Sequence, residues 1–209
     1  MYLSKLKLNP NNKQVQRDVG KPYQLHATLA RGFGDDEVRV LWRLEIPSPL
    51  ESPIVLVQSH TSPDWTEVEA KFDSYFEEKK VQTYQFLDSL KEGDSLRFLL
   101  KANPSAKREK KRHAILDPLK QIEWIKRKGK AGGFDLLACQ LMGEERQHIY
   151  KHDDDEPATI TILSVTFTGI LKITKLDSFL DIIKNGVGPA KGFGHGLLSI
   201  APVRTHSVQ

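Results

Sequence analysis

Val38-Arg-Val-Leu-Trp-Arg-Leu-Glu-Ile46 alternates along its whole length. Val38, Val40, Trp42, Leu44 and Ile46 fall on one face of an extended chain. Arg39, Arg43 and Glu45 fall on the other, which predicts a half-buried strand. Upstream, Tyr23, Leu25, His26, Leu29 and Ala30 recur at helical spacing, and Pro22 suits a first helical position. A helix is expected over Pro22–Arg31, ended by Gly32 and Gly34. Before it, Met1–Leu8 reads as a strand closed by the turn-prone run Asn9-Pro10-Asn11-Asn12. After it come a strand at Ile54–Gln58, room for a short helix within Ser62–Phe72, and a fourth strand over Lys80–Phe86. The first half therefore reads β-α-β-β-α-β.

The second half repeats that order. Ser95–Ala102 alternates through Leu96, Phe98 and Leu100. The basic segment Lys107–Arg112 follows as a loop or hairpin. Asp117-Pro118 is a strong helix start, a capping Asp followed by Pro at the first position. Its helix should run to about Lys128, with Leu119, Ile122 and Ile125 on one side, until Gly132-Gly133 stops it. Phe134–Met142 and Ala158–Ile173 read as strands, separated by the acidic stretch Glu144–Glu156, read as a solvated excursion. Thr174-Lys-Leu-Asp177 has capping-box spacing, and Phe179, Leu180, Ile182 and Ile183 continue as an apolar helical stripe up to Asn185-Gly186. Leu197–Val203 is the last strand. Two β-α-β-β-α-β units in tandem predict an α+β chain of two ferredoxin-like domains, residues 1–88 and 93–209.

The 209 residues suffice for two such domains. With 39% hydrophobic and 28% charged residues, the composition excludes a membrane protein and a wholly disordered chain. Cys139 is the only cysteine, which excludes an intrachain disulfide and a cysteine-based zinc site. The start of the sequence lacks the apolar stretch of a signal peptide. The longest apolar-rich run, Ile160–Ile173, is too short to span a bilayer. A soluble, cytoplasmic protein with no membrane partner is expected. Net charge is only +4, but residues 101–130 carry 11 Lys or Arg against three Asp or Glu. The rest of the chain is net acidic. A basic block in a near-neutral body suits a phosphate-bearing partner, or else a solvated face.

Four constellations could carry chemistry. Gly186-Val-Gly188-Pro-Ala-Lys191-Gly192-Phe-Gly194-His-Gly196 holds five glycines in eleven residues. That density is costly unless the backbone needs φ > 0 or close approach. It matches neither a P-loop nor a dinucleotide fingerprint. It is a phosphate cradle with Lys191, or a tight helix-to-strand connection. Tyr23 and His26, at i and i+3, share one helical face and supply a hydrogen-bond donor and a group that titrates near neutrality. An ordinary half-buried aromatic pair has the same spacing. The run Lys101-Ala-Asn103-Pro-Ser-Ala-Lys107-Arg108-Glu-Lys110-Lys111-Arg112-His113 suits the phosphates lining the major groove of A-form RNA. Lys126, Arg127, Lys128 and Lys130 add cations at a helix C-terminus, where they also complement the helix dipole. His148 and His152 could ligate a metal on a helix. The acidic run after them reads as loop and no Glu lies between them, so no metal site is assigned.

Taken together, MYLSKLKL at the start, Tyr23-Gln-Leu-His26, Leu100-Lys-Ala-Asn-Pro104, Gln121-Ile-Glu-Trp-Ile-Lys-Arg-Lys128 and Gly186-Val-Gly-Pro-Ala-Lys191 through Pro202 resemble the CasE family. These are CRISPR repeat endoribonucleases of the Cascade complex, within the wider repeat-associated (RAMP) superfamily. The resemblance covers nearly the whole chain. It implies two ferredoxin-like domains and cleavage of the CRISPR repeat RNA at the base of its stem-loop, with no metal or other cofactor. The enzyme would then stay on its product and join the other Cascade subunits. Tyr23 and His26 match the family's catalytic positions. Gly186, Gly188, Lys191, Gly192, Gly194 and Gly196 match its glycine loop. Lys107, Arg108, Lys110, Lys111 and Arg112, flanked by Lys101 and Asn103, lie where a basic element grips the RNA stem. A non-catalytic RNA-binding scaffold is the alternative.

Overall fold

Strand β1 (Tyr2–Leu8) buries Ser4, Leu6 and Leu8 and leaves Lys5 exposed, the one-sided pattern of a strand packed on helices. The computed structural model describes residues 1–34, 38–48, 50–109, 111–153 and 156–203, so the prediction for Lys110 lies outside the described residues. In the first half, β1 is followed by helices α1 (Lys13–Val19) and α2 (Pro22–Ala30), strands β2 (Leu41–Glu45) and β3 (Ile54–Ser59), helix α3 (Thr66–Lys71) and strand β4 (Phe76–Thr83). The sheet order is β2-β3-β1-β4, with every neighbour antiparallel. The second half contains β5 (Ser95–Ala102), the hairpin β6 (Ser105–Arg108) and β7 (Lys111–Ala114), α4 (Pro118–Ala131), β8 (Phe134–Asp153), β9 (Glu156–Ile173), α5 (Leu176–Asn185) and β10 (Leu198–Pro202). Its main sheet runs β10-β5-β9-β8, also antiparallel. Each half thus places its last strand beside its first and its third beside its second. That is the ferredoxin-like arrangement, present twice.

Each sheet has its own core. Leu6, Leu25, Leu29, Trp42, Val55, Val57 and Tyr75 fill the first. Phe98, Trp124, Ile125, Phe134, Phe167 and Phe179 lie in the second, against which Phe86 and Leu87 also pack. Among the described residues, no helix is long and apolar enough to cross a membrane.

Several expectations need correction. The Asn9–Asn12 turn leads into a helix that was not anticipated, capped by the Asn12 side chain accepting from Gln14 and Val15 N–H. Only seven residues long, α1 carries too few apolar positions to show a period. The fourth strand starts earlier than Lys80, at Phe76. Its residues after Phe76 are all exposed, so an edge strand without alternation escaped the pattern. On α4, Leu119 is exposed, and the buried side is Gln121, Trp124, Ile125 and Gly129. The Thr174 capping box does not form. Lys175 occupies the cap position, and Glu92 instead accepts from Leu176 N–H at 3.1 Å. Of the stretch read as an excursion, Glu144–Asp153 and Glu156 belong to a long β8–β9 ribbon, paired from Phe134↔Ile173 to Asp153↔Glu156 with register shifts between Leu136 and Ala138 and between Leu141 and Gly143.

The largest departure concerns β2. Alternation predicts a solvent-facing Arg43, yet Arg43 is buried, as is Leu41 beside Gly186. That face meets the second domain. Arg43 donates from Nε and Nη2 to Glu45 (3.0 and 2.7 Å) and from Nη1 to the Ser199 hydroxyl at 2.9 Å. Gln58 adds a buried bond to the Ile183 carbonyl at 2.7 Å. Arg43→Ala removes the bond to Ser199 and opens a void between the domains. It should lower the unfolding free energy by about 1–3 kcal/mol, measured by urea denaturation. An unchanged midpoint would show that the junction does not depend on this side chain.

Candidate functional site at the domain junction

Helix α2 places the first candidate side chains. Pro22 starts it, Leu25, Thr28 and Leu29 anchor it in the first core, and Tyr23 and His26 are left toward the outside. Tyr23 is 56% exposed. His26 is half-buried, and its Nδ1 accepts a hydrogen bond from Trp42 Nε1 at 3.2 Å. Burial holds the His26 imidazole below its ordinary pKa, favouring the neutral form.

The glycine-rich connection from α5 to β10 lies across this helix. A β-carbon on Gly192 would sit 3.6 Å from His26 Cδ2 and 3.8 Å from Nε2, so the loop backbone passes the imidazole edge in ordinary contact. The loop is wedged between two tryptophans, one from each domain. Gly188 (φ 77°) leaves 2.9 Å between its missing β-carbon and the Trp124 ring, and Gly194 (φ 80°) leaves 2.7 Å to Trp42. Both positions combine a left-handed backbone with no room for a side chain. Gly186 backs onto Leu41, and Gly196 donates its N–H to the Lys101 carbonyl at 2.8 Å. The close approach suspected from the glycine density is thus, at these positions, to the protein's own rings and backbone.

Cations gather beside the loop. An open cleft of about 570 Å³ is lined by Arg112, Lys128, Lys191, Gly188 and Asp181 among others. Burial and the neighbouring Arg39, Lys128 and Arg112 lower the Lys191 pKa. Lys107, Lys111 and Arg112 are exposed on the β6–β7 hairpin, where Lys107 pairs with Arg112 and Arg108 with Lys111. The structure therefore brings the hairpin's Arg112, the α4 cation Lys128 and the loop's Lys191 to one cleft. Lys107 and Lys111 line no part of it. Lys101 sits at the end of β5, and Asn103 between β5 and β6, both half-buried. Burial lowers the Lys101 pKa against the opposing pull of Glu145, 3.9 Å away.

Two residues escaped the sequence reading. Trp42 looked like a simple core position, and alternation cannot reveal where an indole N–H points. His195 was one letter of the glycine motif, yet it is fully buried, and burial followed by Lys101 pushes its pKa down to about 4. His148 and His152 lie on strand β8, where i and i+4 positions are about 13 Å apart, so the helical spacing required for a shared metal is not met. No group of three or more metal-ligating side chains forms among the described residues.

A tandem ferredoxin-like chain whose glycine loop closes over a histidine, beside a basic hairpin, defines the class already suggested by the motifs. The sequence model of the family described as CRISPR associated protein matches residues 1–202, and the chain belongs to that family. It is 36% identical to the CRISPR-associated endoribonuclease Cse3 of Thermus thermophilus, over 97% of this chain and all of the relative. It is 31% identical to the CRISPR system Cascade subunit CasE of Escherichia coli K12, again over 97% of this chain and all of the relative. A solved structure of the CRISPR endoribonuclease Cse3 bound to a 19-nucleotide RNA superposes with a TM-score of 0.86 at 34% identity, covering 97% of this chain and 100% of the other.

Two predictions follow from the packing. Gly194→Ala forces a side chain into the Trp42 ring at positive φ and should cost at least about 1–2 kcal/mol of stability. Gly192→Ala meets only ordinary contacts and should melt like the parent. Equal melting temperatures for the two variants would contradict this reading of the loop. The second concerns acid. His195 is neutral in the folded chain and ionises near 6.5 when unfolded, so its folded pKa is depressed. Its contribution is present above about pH 6.5 and is lost as pH falls toward 4. His195→Leu should flatten that part of the stability–pH curve in denaturant titrations.

Proposed function

We propose that this chain is an endoribonuclease that cuts CRISPR precursor RNA within the repeat, at the base of the stem-loop, and keeps the mature guide RNA within Cascade. The observation that carries this reading is the half-buried His26 under the glycine loop, with the cleft of Arg112, Lys128 and Lys191 alongside. Similarity along the full chain to an endoribonuclease and to a Cascade subunit supports it. The domains are residues 1–88 and 93–209, and the chain acts in the cytoplasm with RNA and the other Cascade subunits as partners.

The reaction is metal-independent attack by the ribose 2′ oxygen on the adjacent phosphorus. The 2′-hydroxyl loses its proton, the bond from phosphorus to the 5′ oxygen breaks, and that oxygen takes up a proton. The products are a 2′,3′-cyclic phosphate and a 5′-hydroxyl. His26 assists at one of these oxygens as general acid or base, and Tyr23 orients it or assists. Lys191 and the backbone of the loop around Gly192 stabilise the charge on phosphorus. Lys101, Asn103, Lys107, Arg108, Lys110, Lys111 and Arg112 hold the stem, mainly through its phosphates.

General acid–base groups typically contribute about 10²–10⁴-fold. His26→Ala should therefore slow cleavage of a labelled repeat hairpin at least about 100-fold while RNA binding persists. Cleavage should survive EDTA and fail on a substrate with 2′-deoxyribose at the cut site. Loss of activity with chelator would point to a metal-dependent nuclease, and no cleavage by the parent chain to a binding scaffold. Neutralising Lys107, Arg108, Lys110, Lys111 and Arg112 should flatten the slope of log K against log[salt], by up to about 0.9 per lost phosphate contact. An unchanged slope would remove the hairpin from the RNA.

A further inference from the structure

An indole N–H can donate a hydrogen bond and cannot accept one. At 3.2 Å from Trp42 Nε1, His26 Nδ1 must therefore be the acceptor and carry no proton. A neutral imidazole with a bare Nδ1 has its proton on Nε2. Nε2 lies on the ring edge that Gly192 passes, within 3.8 Å of where a β-carbon there would sit. The edge presented toward the loop is an N–H.

Trp42 is not free to rotate away. It is 2% exposed, belongs to the first core, and lies under Gly194 with no space for even a methyl group between them. Its N–H is fixed by packing, and His26 must conform to it. Protonating Nδ1 would place two N–H groups head to head, so this contact opposes the imidazolium. Burial of the ring acts in the same direction.

We propose that Trp42 is a positioning residue that locks His26 as the Nε2–H tautomer, so that His26 meets the RNA as a hydrogen-bond donor and not as the base that removes the 2′-hydroxyl proton. The inference rests on His26 being catalytic, as argued above, and replaces an acid–base role with stabilisation of charge by a retained N–H. In this arrangement Nε2–H donates a hydrogen bond to a phosphoryl oxygen as negative charge builds there, and His26 keeps its proton throughout. Water takes the 2′-hydroxyl proton, and water returns one to the 5′ oxygen as its bond to phosphorus breaks.

The test uses the full chain with ¹⁵N-labelled histidine. In the parent protein at neutral pH, the His26 signals should show an unprotonated, hydrogen-bond-accepting Nδ1 and a protonated Nε2. Trp42→Phe keeps a ring in the core and removes the donor. It should shift the proton toward Nδ1 or toward a mixture, and slow single-turnover cleavage about ten-fold, the worth of one ordinary hydrogen bond. RNA affinity should not change. A proton on Nδ1 in the parent overturns the proposal, and that measurement decides even if Trp42→Phe fails to fold. A slower Trp42→Phe with the parental tautomer marks a purely structural role and also overturns it. Full cleavage by His26→Ala would instead overturn the assignment of His26 itself. The two failures are therefore distinguishable.

Discussion

Strand β2 carries the junction because its neighbouring residues serve different domains. Trp42 points into the first core and reaches His26 through its indole N–H. Leu41 and Arg43, on the opposite face, pack against Gly186 and the β10 region. In an ordinary two-layer sheet the second face of such a strand meets water, which suits charged residues. Here it meets protein, and Arg43 is tolerated because Glu45 and Ser199 satisfy its guanidinium. The angle between the domains, the height of the glycine loop and the setting of the imidazole all depend on this seating.

The electrostatics of the site follow from the same packing. Lys191 and Lys101 are partly withdrawn from water, and burial disfavours their charged forms. Lys191 also faces Arg39, Lys128 and Arg112, which repel it. A site in which cations are crowded together and incompletely hydrated is unfavourable alone and favourable around a polyanion. A phosphate backbone entering the cleft relieves the repulsion and replaces lost hydration. The Lys101–Glu145 pair, 3.9 Å long, is too loose to offset it.

Much of the fold was legible because its signals are local. The alternation of Ser95–Ala102 gave β5 with correct ends, and Asp117-Pro118 marked the start of α4, where the Asp117 side chain accepts from Leu119 and Lys120 N–H. The failures share a cause. Arg43, Leu119 and the Thr174 cap were each assigned by neighbours in sequence, whereas their environments are set by residues far away, such as Ser199 and Glu92. The site shows the same division. The glycine density, the Tyr23–His26 spacing and the basic run could be seen in the chain. That Lys128 joins Arg112 and Lys191 in one cleft could not, because the three come from a helix, a hairpin and a loop. Nor could the pairing of Trp42 with His26, which depends on how α2 crosses β2.

The two domains share a topology, yet the candidate site lies at their junction, and one connection accounts for its place there. In the first domain, four residues, Phe72–Tyr75, join the second helix of the repeat to its last strand. Asn9 and Asn12 tie that turn down by donating to the Ser74 and Asp73 carbonyls, and it ends on the buried Tyr75. In the second domain the equivalent connection spans twelve residues, Gly186–Leu197. It leaves its own sheet, crosses to the other domain and packs on Trp42 beside His26. The fold thus supplies two similar frames, and a longer helix-to-strand connection in one of them brings the candidate site together. A loop of that length would normally be mobile. Glycines set against two tryptophans let it pack tightly enough to hold its backbone over the imidazole. This explains why so many glycines are spent on a connection that never leaves the protein surface far enough to need flexibility.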